Sequence, residues 1–327
     1  MQNTKIRIAV LGMASIARRS VIPEILLCDK FELAGIASRD LQNAQQNAET
    51  YRTAVFHGYE SIIDKKYADA VYIPLPNSLH FEWVMKALDK GMHVWVEKSL
   101  GCNATEVKLL NDKASEKGLA LLENFQFRFH SQLSYIKNIV ESGELGSLRS
   151  IRSSFGFPPF PDENNIRYQK DLGGGALLDA GAYPLKISQL FLMGNLEIAA
   201  SNLIYDQSLG VDTWGGAYLR ETDGELFSQI AFGFDHNYEC SIELWGNKGK
   251  LYTNRIFTAP PGYKPLFLIN KGGKQTTIEI EQDNAFRNIL MYFYDLIHDA
   301  SKANVEYQQN ITQSILLEQI RTKAYVK

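Results

Sequence analysis

An acid and a phenol lie four residues apart, shortly after a run of three glycines. The run is Gly173-Gly174-Gly175, and Asp179 and Tyr183 follow it. In a helix, residues at this spacing share one face, so both side chains would project in the same direction. Glycines also let the backbone approach a bulky group such as a ring or a phosphate. A carboxylate that orients a substrate and a phenol that donates a proton are suited to carbonyl chemistry.

A second chemically suited residue is Lys98, which follows Glu97 at the end of a predicted strand over 93–96. In a parallel sheet, residues at the carboxyl end of a strand face the crevice in which ligands bind. Partial burial of a lysine weakens its preference for the charged form and lets it deliver a proton. A surface lysine paired with Glu97 is the structural alternative, but the position favours a functional role.

The segment that follows the first predicted strand is a variant of the dinucleotide-binding fingerprint. It reads Gly12-Met-Ala14-Ser15-Ile16-Ala17 and keeps one of the three usual glycines. Gly12 permits the tight turn, Ala14 lets the backbone approach a pyrophosphate, and Ala17 allows close helix–strand packing. The free N–H groups at the following helix start, including those of Ser15 and Ile16, would bind phosphate. A plain strand–helix turn is the alternative.

Ser38 and Arg39 end the second predicted strand, where an acidic residue would bind the ribose diol of NAD. A hydroxyl and a guanidinium suit a 2′-phosphate instead, because arginine offers a planar fork of donors. The pair therefore favours NADP(H) over NAD, although a solvated surface arginine is the alternative.

Three further residues follow the predicted strand 70–73, namely Leu75, Asn77 and His80. We assign all three to the cofactor-binding edge of the sheet. Asn77 or Ser78 can also cap the helix predicted over 78–90. His80 would lie in the first turn of that helix and could face a nicotinamide, although a lone histidine is more often structural.

The order of predicted elements indicates two domains. Residues 1–123 alternate strands and helices, which is typical of an α/β domain with a parallel, doubly wound sheet, and residues 124–327 are dominated by strands. The predicted strands are 6–11, 31–38, 70–73, 93–96, 120–123, 148–155, 196–205, 213–220, 226–232, 239–244 and 249–252. The predicted helices are 16–28, 41–51, 78–90, 105–117, 176–193, 284–302 and 309–325.

Bulk composition excludes several classes of function. The chain has 327 residues and a net charge of -3, which gives no electrostatic basis for binding nucleic acid or an anionic membrane. Cys28, Cys102 and Cys240 are scattered without metal-type spacing, so we expect reduced thiols and no metal site. The polar start and the lack of a long apolar run predict a cytoplasmic protein without a signal peptide.

Taken in order, these motifs resemble those of the glucose-fructose oxidoreductase, inositol dehydrogenase and MocA family. The resemblance runs nearly end to end. Its residues are 12–17, 76–80, Glu97-Lys98, Asn124 with Arg128, and 173–183. Within the family the chain is most similar to NADPH-dependent 3-ketoreductases of dTDP-linked deoxysugars, on the residues 155–159, 166–168, 232–238 and 243–246.

The resemblance implies a Rossmann domain followed by an α+β domain with an open, mostly antiparallel sheet. It implies that the C-terminal helices pack back on the first domain and that sheet faces pair into a homodimer or homotetramer. It also implies that Glu97, Asn124 and Arg167 contact the cofactor. The substrate would be a sugar or sugar nucleotide, and the reaction would be hydride transfer to a ketone. Lys98 and Tyr183 would serve the developing alkoxide, one as proton donor and one as polarising group, and Asp179 would orient Lys98 or sugar hydroxyls.

The chain departs from the family pattern at two positions. Ser99 stands where many relatives carry proline after a cis peptide, so we expect a different local backbone at Lys98. Tyr183 stands where many family dehydrogenases carry histidine. Since a tyrosine has an ordinary pKa of about 10, it is a better proton donor than a neutral-range base, which favours carbonyl reduction.

Two other functions fit the same family. One is a free-sugar or dihydrodiol dehydrogenase, because some of those relatives also carry tyrosine at this position. The other is a non-enzymatic NADP-binding regulator. The presence of Lys98, Asp179 and Tyr183 argues against a regulator, and no DNA-binding segment supports one.

Overall fold

The computed structural model describes residues 5–192 and 194–326, without the side chains of Asn43, Asn47 and Val326. The polar start at Met1–Thr4 and the predicted helix end at Met193 lie outside the described residues. The chain forms two compact units. The first contains Met1–Asn124 and Phe286–Thr312, and the second contains Phe125–Ala285 and Gln313–Lys327.

The first unit contains a six-stranded sheet. Its strands are β1 (Ile6–Leu11), β2 (Phe31–Ser38), β3 (Ala54–His57), β4 (Ala70–Ile73), β5 (His93–Val96) and β6 (Leu121–Glu123). All pair in parallel, in the order β3-β2-β1-β4-β5-β6. β4 is buried along its whole length, as expected where helices cover both faces of a parallel sheet. The chain order reverses between β1 and β4, and ligands bind outside the carboxyl ends at such a switch point.

Helices connect these strands. They are α1 (Ile22–Leu27), α2 (Leu41–Tyr51), α3 (Glu60–Ile63), α4 (Asn77–Asp89) and α5 (Ala104–Lys117). α5 shows why its ends lie where they do. Asn103 Oδ1 accepts a hydrogen bond from Glu106 N–H at 2.9 Å, which caps the first turn. Gly118 ends the helix in the left-handed conformation, with φ 63°.

The second unit contains a nine-stranded sheet. Its strands are β7 (Leu148–Gly156), β8 (Leu196–Asp206), β9 (Val211–Glu221), β10 (Phe227–Gly233), β11 (Glu239–Gly246), β12 (Gly249–Asn254), β13 (Leu266–Lys271), β14 (Lys274–Glu279) and β15 (Ala324–Val326). The order is β14-β13-β12-β11-β7-β10-β9-β8-β15. The pairs β7/β10 and β8/β15 are parallel and the other pairs are antiparallel. The predicted combination of a Rossmann-type sheet with a mostly antiparallel sheet is therefore confirmed.

Four more helices complete the described chain. They are α6 (Ser131–Glu141), α7 (Ala182–Gln189), α8 (Ala285–His298) and α9 (Ala300–Lys323). α9 is longer than the predicted helix 309–325, and the predicted helix 284–302 ends early. The cause is Asp299, whose Oδ1 accepts a hydrogen bond from Ser301 N–H at 2.9 Å and starts a new helix. At the other end, Ala324–Val326 leaves the helix and pairs with β8.

Two helices of functional interest start with a π-turn. One turn is Ala17–Val21, before α1, and the other is Leu177–Gly181, before α7. Pro23 and Pro184 follow these turns closely. Proline lacks an N–H and its ring crowds the carbonyl four residues earlier, so a wider turn relieves the contact. The helices predicted over 16–28 and 176–193 are therefore interrupted, which the hydrophobic pattern alone does not reveal.

None of the helices within residues 5–192 and 194–326 is long and apolar enough to cross a membrane.

His93 makes the stability of the first unit pH-dependent. Burial lowers the pKa of His93 to about 4, and its Nδ1 accepts a hydrogen bond from Ala120 N–H at 3.0 Å. An unfolded histidine has a pKa of about 6.5, so this stability is complete above that pH and declines as the pH falls towards the folded value. We predict a decrease of about 2 kcal/mol in the free energy of unfolding between pH 7 and pH 5 from this group.

Urea titrations of the wild type and of His93→Gln at pH 7 and pH 5 measure this contribution to the free energy of unfolding. Glutamine keeps an acceptor for the Ala120 N–H but does not titrate, so the variant should lose that part of the pH dependence. His57→Gln, at an exposed position, is the matched control and should retain it. An unchanged pH dependence in His93→Gln would contradict the prediction.

Candidate active site

The turn after β1 has the geometry that the fingerprint predicts. Gly12 has a φ of 114°, and a Cβ there would lie 2.9 Å from Leu75 Cδ2. The following helical residues begin at Ser15, and Arg18 N–H bonds to the Ala14 carbonyl at 3.2 Å. Ala17 is fully buried, as close packing of the helix on the sheet requires. The structure thus places Gly12 and Leu75, which follow β1 and β4, together at the switch point.

Ser38 and Arg39 lie at the end of β2, the parallel neighbour of β1. Ser38 is buried, and its Oγ accepts a hydrogen bond from Asp40 N–H at 3.1 Å. Arg39 is exposed. The serine therefore shapes the turn, and the arginine presents its charge at the surface beside it.

Lys98 stands at the start of a loop that other segments hold in place. The expectation of a different backbone at Ser99 is wrong, because the Lys98–Ser99 peptide bond is cis. The expectation that Asn77 caps α4 is also wrong. Its Oδ1 accepts a hydrogen bond from Ser99 N–H at 3.2 Å, and the cap position is occupied by Pro76 without a side-chain bond.

His80 also contacts this loop. Its ring is fully buried, with Nδ1 2.7 Å from the Ser99 carbonyl oxygen and Nε2 2.8 Å from the Leu75 carbonyl oxygen. Burial lowers the pKa of His80 to about 4, against the effect of these two hydrogen bonds. Both partners are carbonyl oxygens, which only accept, so a neutral imidazole donates to one of them at a time, whereas the protonated ring can donate to both and link the loops that follow β4 and β5.

Two acidic residues at the ends of β5 and β6 complete the arrangement. Glu123 is buried, and its Oε1 accepts a hydrogen bond from Leu100 N–H at 2.8 Å. Glu97 Oε1 accepts hydrogen bonds from the Tyr72 hydroxyl and from Asn124 Nδ2. The surface pair of Glu97 with Lys98 that was considered from the sequence is therefore not needed to explain Glu97.

This edge of the first unit fits a dinucleotide. The turn at Gly12 leads directly to helical N–H groups from Ser15 onward, the arrangement that binds phosphate. Asn124 Oδ1 is buried and has no hydrogen-bond partner among the described residues, so it offers an acceptor to an amide such as a carboxamide. Within the described ranges no group of three or more histidine, cysteine or acidic residues could hold a metal.

In the second unit, Asp179 forms an ion pair with Arg167. Arg167 Nε lies 2.5 Å from Asp179 Oδ2, and both side chains are partly buried. The guanidinium also lies over the Phe160 ring, 4.7 Å from its centre. Since arginine has five N–H donors, this contact leaves others for an anionic ligand. The role of Arg167 at the cofactor stays a prediction.

Tyr183 lies among phenylalanine rings. Its ring centre is 5.1 to 5.9 Å from those of Phe125, Phe127, Phe155 and Phe257. Such packing on several sides fixes the ring plane, and edge-to-face contacts of this kind are favourable. The phenol is therefore held in one orientation by the core of its own unit.

Some aromatic residues that could have bound a nucleotide base belong to the core instead. Phe155 is buried, and Phe157 stacks on Phe234 with ring centres 5.3 Å apart. Tyr238 remains 39% exposed, and Arg255 lies over its ring at 5.2 Å. A cation and an aromatic ring are thus available together at the surface of the second unit.

Sequence reasoning missed Glu123, Lys186 and the acceptor role of Asn77. Glu123 could have been found, because it is the last residue of β6, and Glu97 directly follows the last residue of β5. Lys186 is buried three residues after Tyr183, and its Nζ lies 5.4 Å from the centre of the Phe125 ring. Its position in an apolar helix face offers no signal of function by itself.

Comparisons with known proteins agree with this geometry. An oxidoreductase family model with an NAD-binding Rossmann fold, GFO/IDH/MocA, matches residues 6–125, and the C-terminal domain model of the same family matches residues 133–252. A dTDP-3,4-didehydro-2,6-dideoxy-alpha-D-glucose 3-reductase from Saccharopolyspora spinosa is 34% identical over 96% of this chain and 96% of its own. An NADP(+)-dependent D-xylose 1-dehydrogenase from Haloferax volcanii is 30% identical over 93% of this chain and 92% of its own.

A solved structure gives the same picture. A 3-ketoreductase from Actinomadura kijaniata, in complex with NADP and TDP-benzene, has a TM-score of 0.95, with 33% identity and 99% of each chain covered. That protein has also been solved with a tyrosine replaced by phenylalanine, and with a lysine replaced by glutamate or alanine. The resemblance predicted from the ordered motifs is confirmed, and the chain belongs to the GFO/IDH/MocA oxidoreductase family.

Proposed function

We propose that this chain is an NADPH-dependent ketoreductase that reduces a ketone on a nucleotide-linked deoxyhexose. The observation that carries the proposal is the similarity to a dTDP-sugar 3-reductase, 34% identical over 96% of this chain. Tyr183, which we propose as the proton donor, is held by four phenylalanine rings. The relatives that resemble the chain over nearly its whole length, among them a dTDP-sugar 3-reductase, support the nucleotide-linked substrate.

We propose Lys98 and Tyr183 as the groups that serve the carbonyl oxygen. NADPH supplies the hydride when it is bound, and the oxygen then needs a proton and a nearby positive charge. Tyr183 is the better donor and Lys98 the better polarising group. Asp179, held by Arg167, is an acceptor that orients a sugar hydroxyl.

We propose that the first unit supplies all but one of the residues that bind NADP(H), the exception being Arg167, and that the second unit binds the sugar nucleotide. The proposed cofactor residues are Gly12, Ala14, Ser15, Ile16, Ala17, Ser38, Arg39, Leu75, Asn77, His80, Glu97, Asn124 and Arg167. The positions of Leu75, Asn77 and His80 in one hydrogen-bonded edge support their assignment. We also propose that the protein is cytoplasmic. We propose a homodimer or homotetramer, because the second sheet exposes Trp214 and Trp245, which an interface would cover.

The function is tested by NADPH oxidation with a dTDP-linked 3-keto-deoxyhexose, alongside the matching free ketosugar and D-xylose with NADP⁺. We predict turnover of the nucleotide-linked ketone and at least about 100-fold lower kcat/KM for the free ketosugar, because the nucleotide supplies remote binding energy. Oxidation of D-xylose at a comparable rate would instead identify a free-sugar dehydrogenase. NADPH binding without turnover of any of the three would indicate a regulator.

Replacement of Lys98 or Tyr183 should slow the chemical step without weakening cofactor binding. We predict that Tyr183→Phe and Lys98→Met each lower kcat by about 10² to 10³, the usual range for a general acid or a polarising charge. The KM for NADPH should change less than about twofold. Tyr218→Phe and Lys108→Met, at positions away from the proposed site, are matched controls. Wild-type kcat in both test variants would rule out the assignment.

Arg39 should decide between the two nicotinamide cofactors. We predict that Arg39→Ala raises the KM for NADPH by about 10- to 100-fold, the loss expected for one hydrogen bond to a charged group, and leaves the KM for NADH nearly unchanged. Steady-state kinetics with both cofactors measure the ratio. Lys65→Ala, another exposed cation of the first unit, is the control. A parallel weakening of NADH and NADPH would show that Arg39 does not read the 2′-phosphate.

A further inference from the structure

The helical segment that carries Asp179 and Tyr183 starts without a cap of its own. Its π-turn begins at Leu177, and the cap position is occupied by Ala176, which has no side-chain acceptor. The first N–H groups of such a segment need partners when they are buried. Leu177 and Ala176 are both fully buried, so water does not supply them.

The partner comes from a strand far along the chain. Asp212, near the start of β9, accepts a hydrogen bond from Leu177 N–H through Oδ2 at 2.6 Å. Asp212 is itself only 6% exposed. Burial raises the pKa of Asp212, while hydrogen bonds from Leu177 and Ala176 and the charge of Arg321 act in the opposite direction. The buried Asp212 side chain therefore accepts the N–H hydrogen bond at the start of this segment.

The last glycine of the glycine run makes room for this carboxylate. Gly175 has a φ of 113°, and a Cβ at that position would overlap Asp212 Oδ1. Gly175 N–H also bonds to the Arg167 carbonyl at 2.9 Å, and a Cβ on Gly174 would lie 2.5 Å from the same oxygen. Gly174 and Gly175 thus accommodate Arg167 and Asp212.

The same contacts determine where Asp179 lies. Asp179 N–H bonds to the Gly175 carbonyl at 3.2 Å, so the residue beside Asp212 is also the first hydrogen-bond partner of Asp179. Four residues further on, Tyr183 lies in the first turn of α7. A displacement of the turn at Leu177 would move both side chains.

We propose that Asp212 is a positioning residue for the reduction, and that its carboxylate fixes the turn that holds Asp179 and Tyr183 in their reactive positions. The inference rests on the proposed roles of those two residues. Displacement of a reacting group by about 1 Å can lower a rate by about 10²-fold. Asp212 thereby acts on kcat without touching the substrate or the cofactor.

The test compares Asp212→Ala with Asp212→Asn in the NADPH oxidation assay. We expect Asp212→Ala to lower kcat by about 30- to 100-fold with the KM for NADPH changed less than about twofold. Asp212→Asn keeps one acceptor oxygen without the charge, and a neutral bond is roughly half as strong, so it should restore part of the loss. Wild-type kcat in folded Asp212→Ala would overturn the proposal.

A double variant tests whether Asp212 acts through Tyr183. If it does, Tyr183→Phe with Asp212→Ala should lose little more activity than Tyr183→Phe alone, whereas losses that multiply would overturn this route. A fully active Tyr183→Phe enzyme would refute the proposed role of Tyr183. In that case the same comparison is made with Asp179. If Asp212→Ala lowers kcat in the wild type but not in the Asp179→Asn variant, Asp212 acts by positioning Asp179.

Glycine variants keep the proposal testable if Asp212→Ala does not fold. Gly175→Ala directs a methyl group at the Asp212 carboxylate, and should lower kcat as Asp212→Ala does. Gly143→Ala is the matched control, because Gly143 also has a positive φ, 72°, but a Cβ there meets nothing within 4 Å. Equal kcat in the two folded glycine variants would overturn the proposal.

Discussion

The need to satisfy buried backbone groups determines where the proposed catalytic side chains of this protein lie. The loop that begins at Lys98 is held at Ser99 by Asn77 and His80, and at Leu100 by Glu123. An unpaired buried N–H or carbonyl costs about as much as a lost hydrogen bond, so each of these contacts restricts the loop strongly. These contacts fix the two residues that follow Lys98 in the chain.

In the second unit, other residues satisfy the buried backbone groups near the proposed catalytic side chains. The turn that leads to Tyr183 is held by the Asp212 carboxylate and by the carbonyl of Arg167. Both partners lie in other segments of the chain, 35 residues away in the case of Asp212. In both units, local motifs identify the proposed catalytic residues, but the positions of these residues depend on contacts with other segments of the chain.

This dependence explains what could and could not be predicted from the sequence. Local patterns were sufficient for β2 and α2, whose ends agree with the predicted 31–38 and 41–51. The hairpin of β13 and β14 was missed although Gly272-Gly273, with φ of 58° and 78°, is a recognisable turn signal. Hydrogen-bond partners such as Asp212 follow from the sheet topology, which a single sequence does not specify.

Glycines show this limit most clearly. Gly12 and Gly175 have nearly the same φ, 114° and 113°, and both precede a π-turn that is followed by a proline. Gly12 lies against the Leu75 side chain at the switch point of the parallel sheet, where a ligand is expected. Gly175 lies against a buried carboxylate of its own unit. The φ angle is therefore nearly the same at both glycines, and the group opposite each one distinguishes a position where a ligand is expected from a contact within the fold.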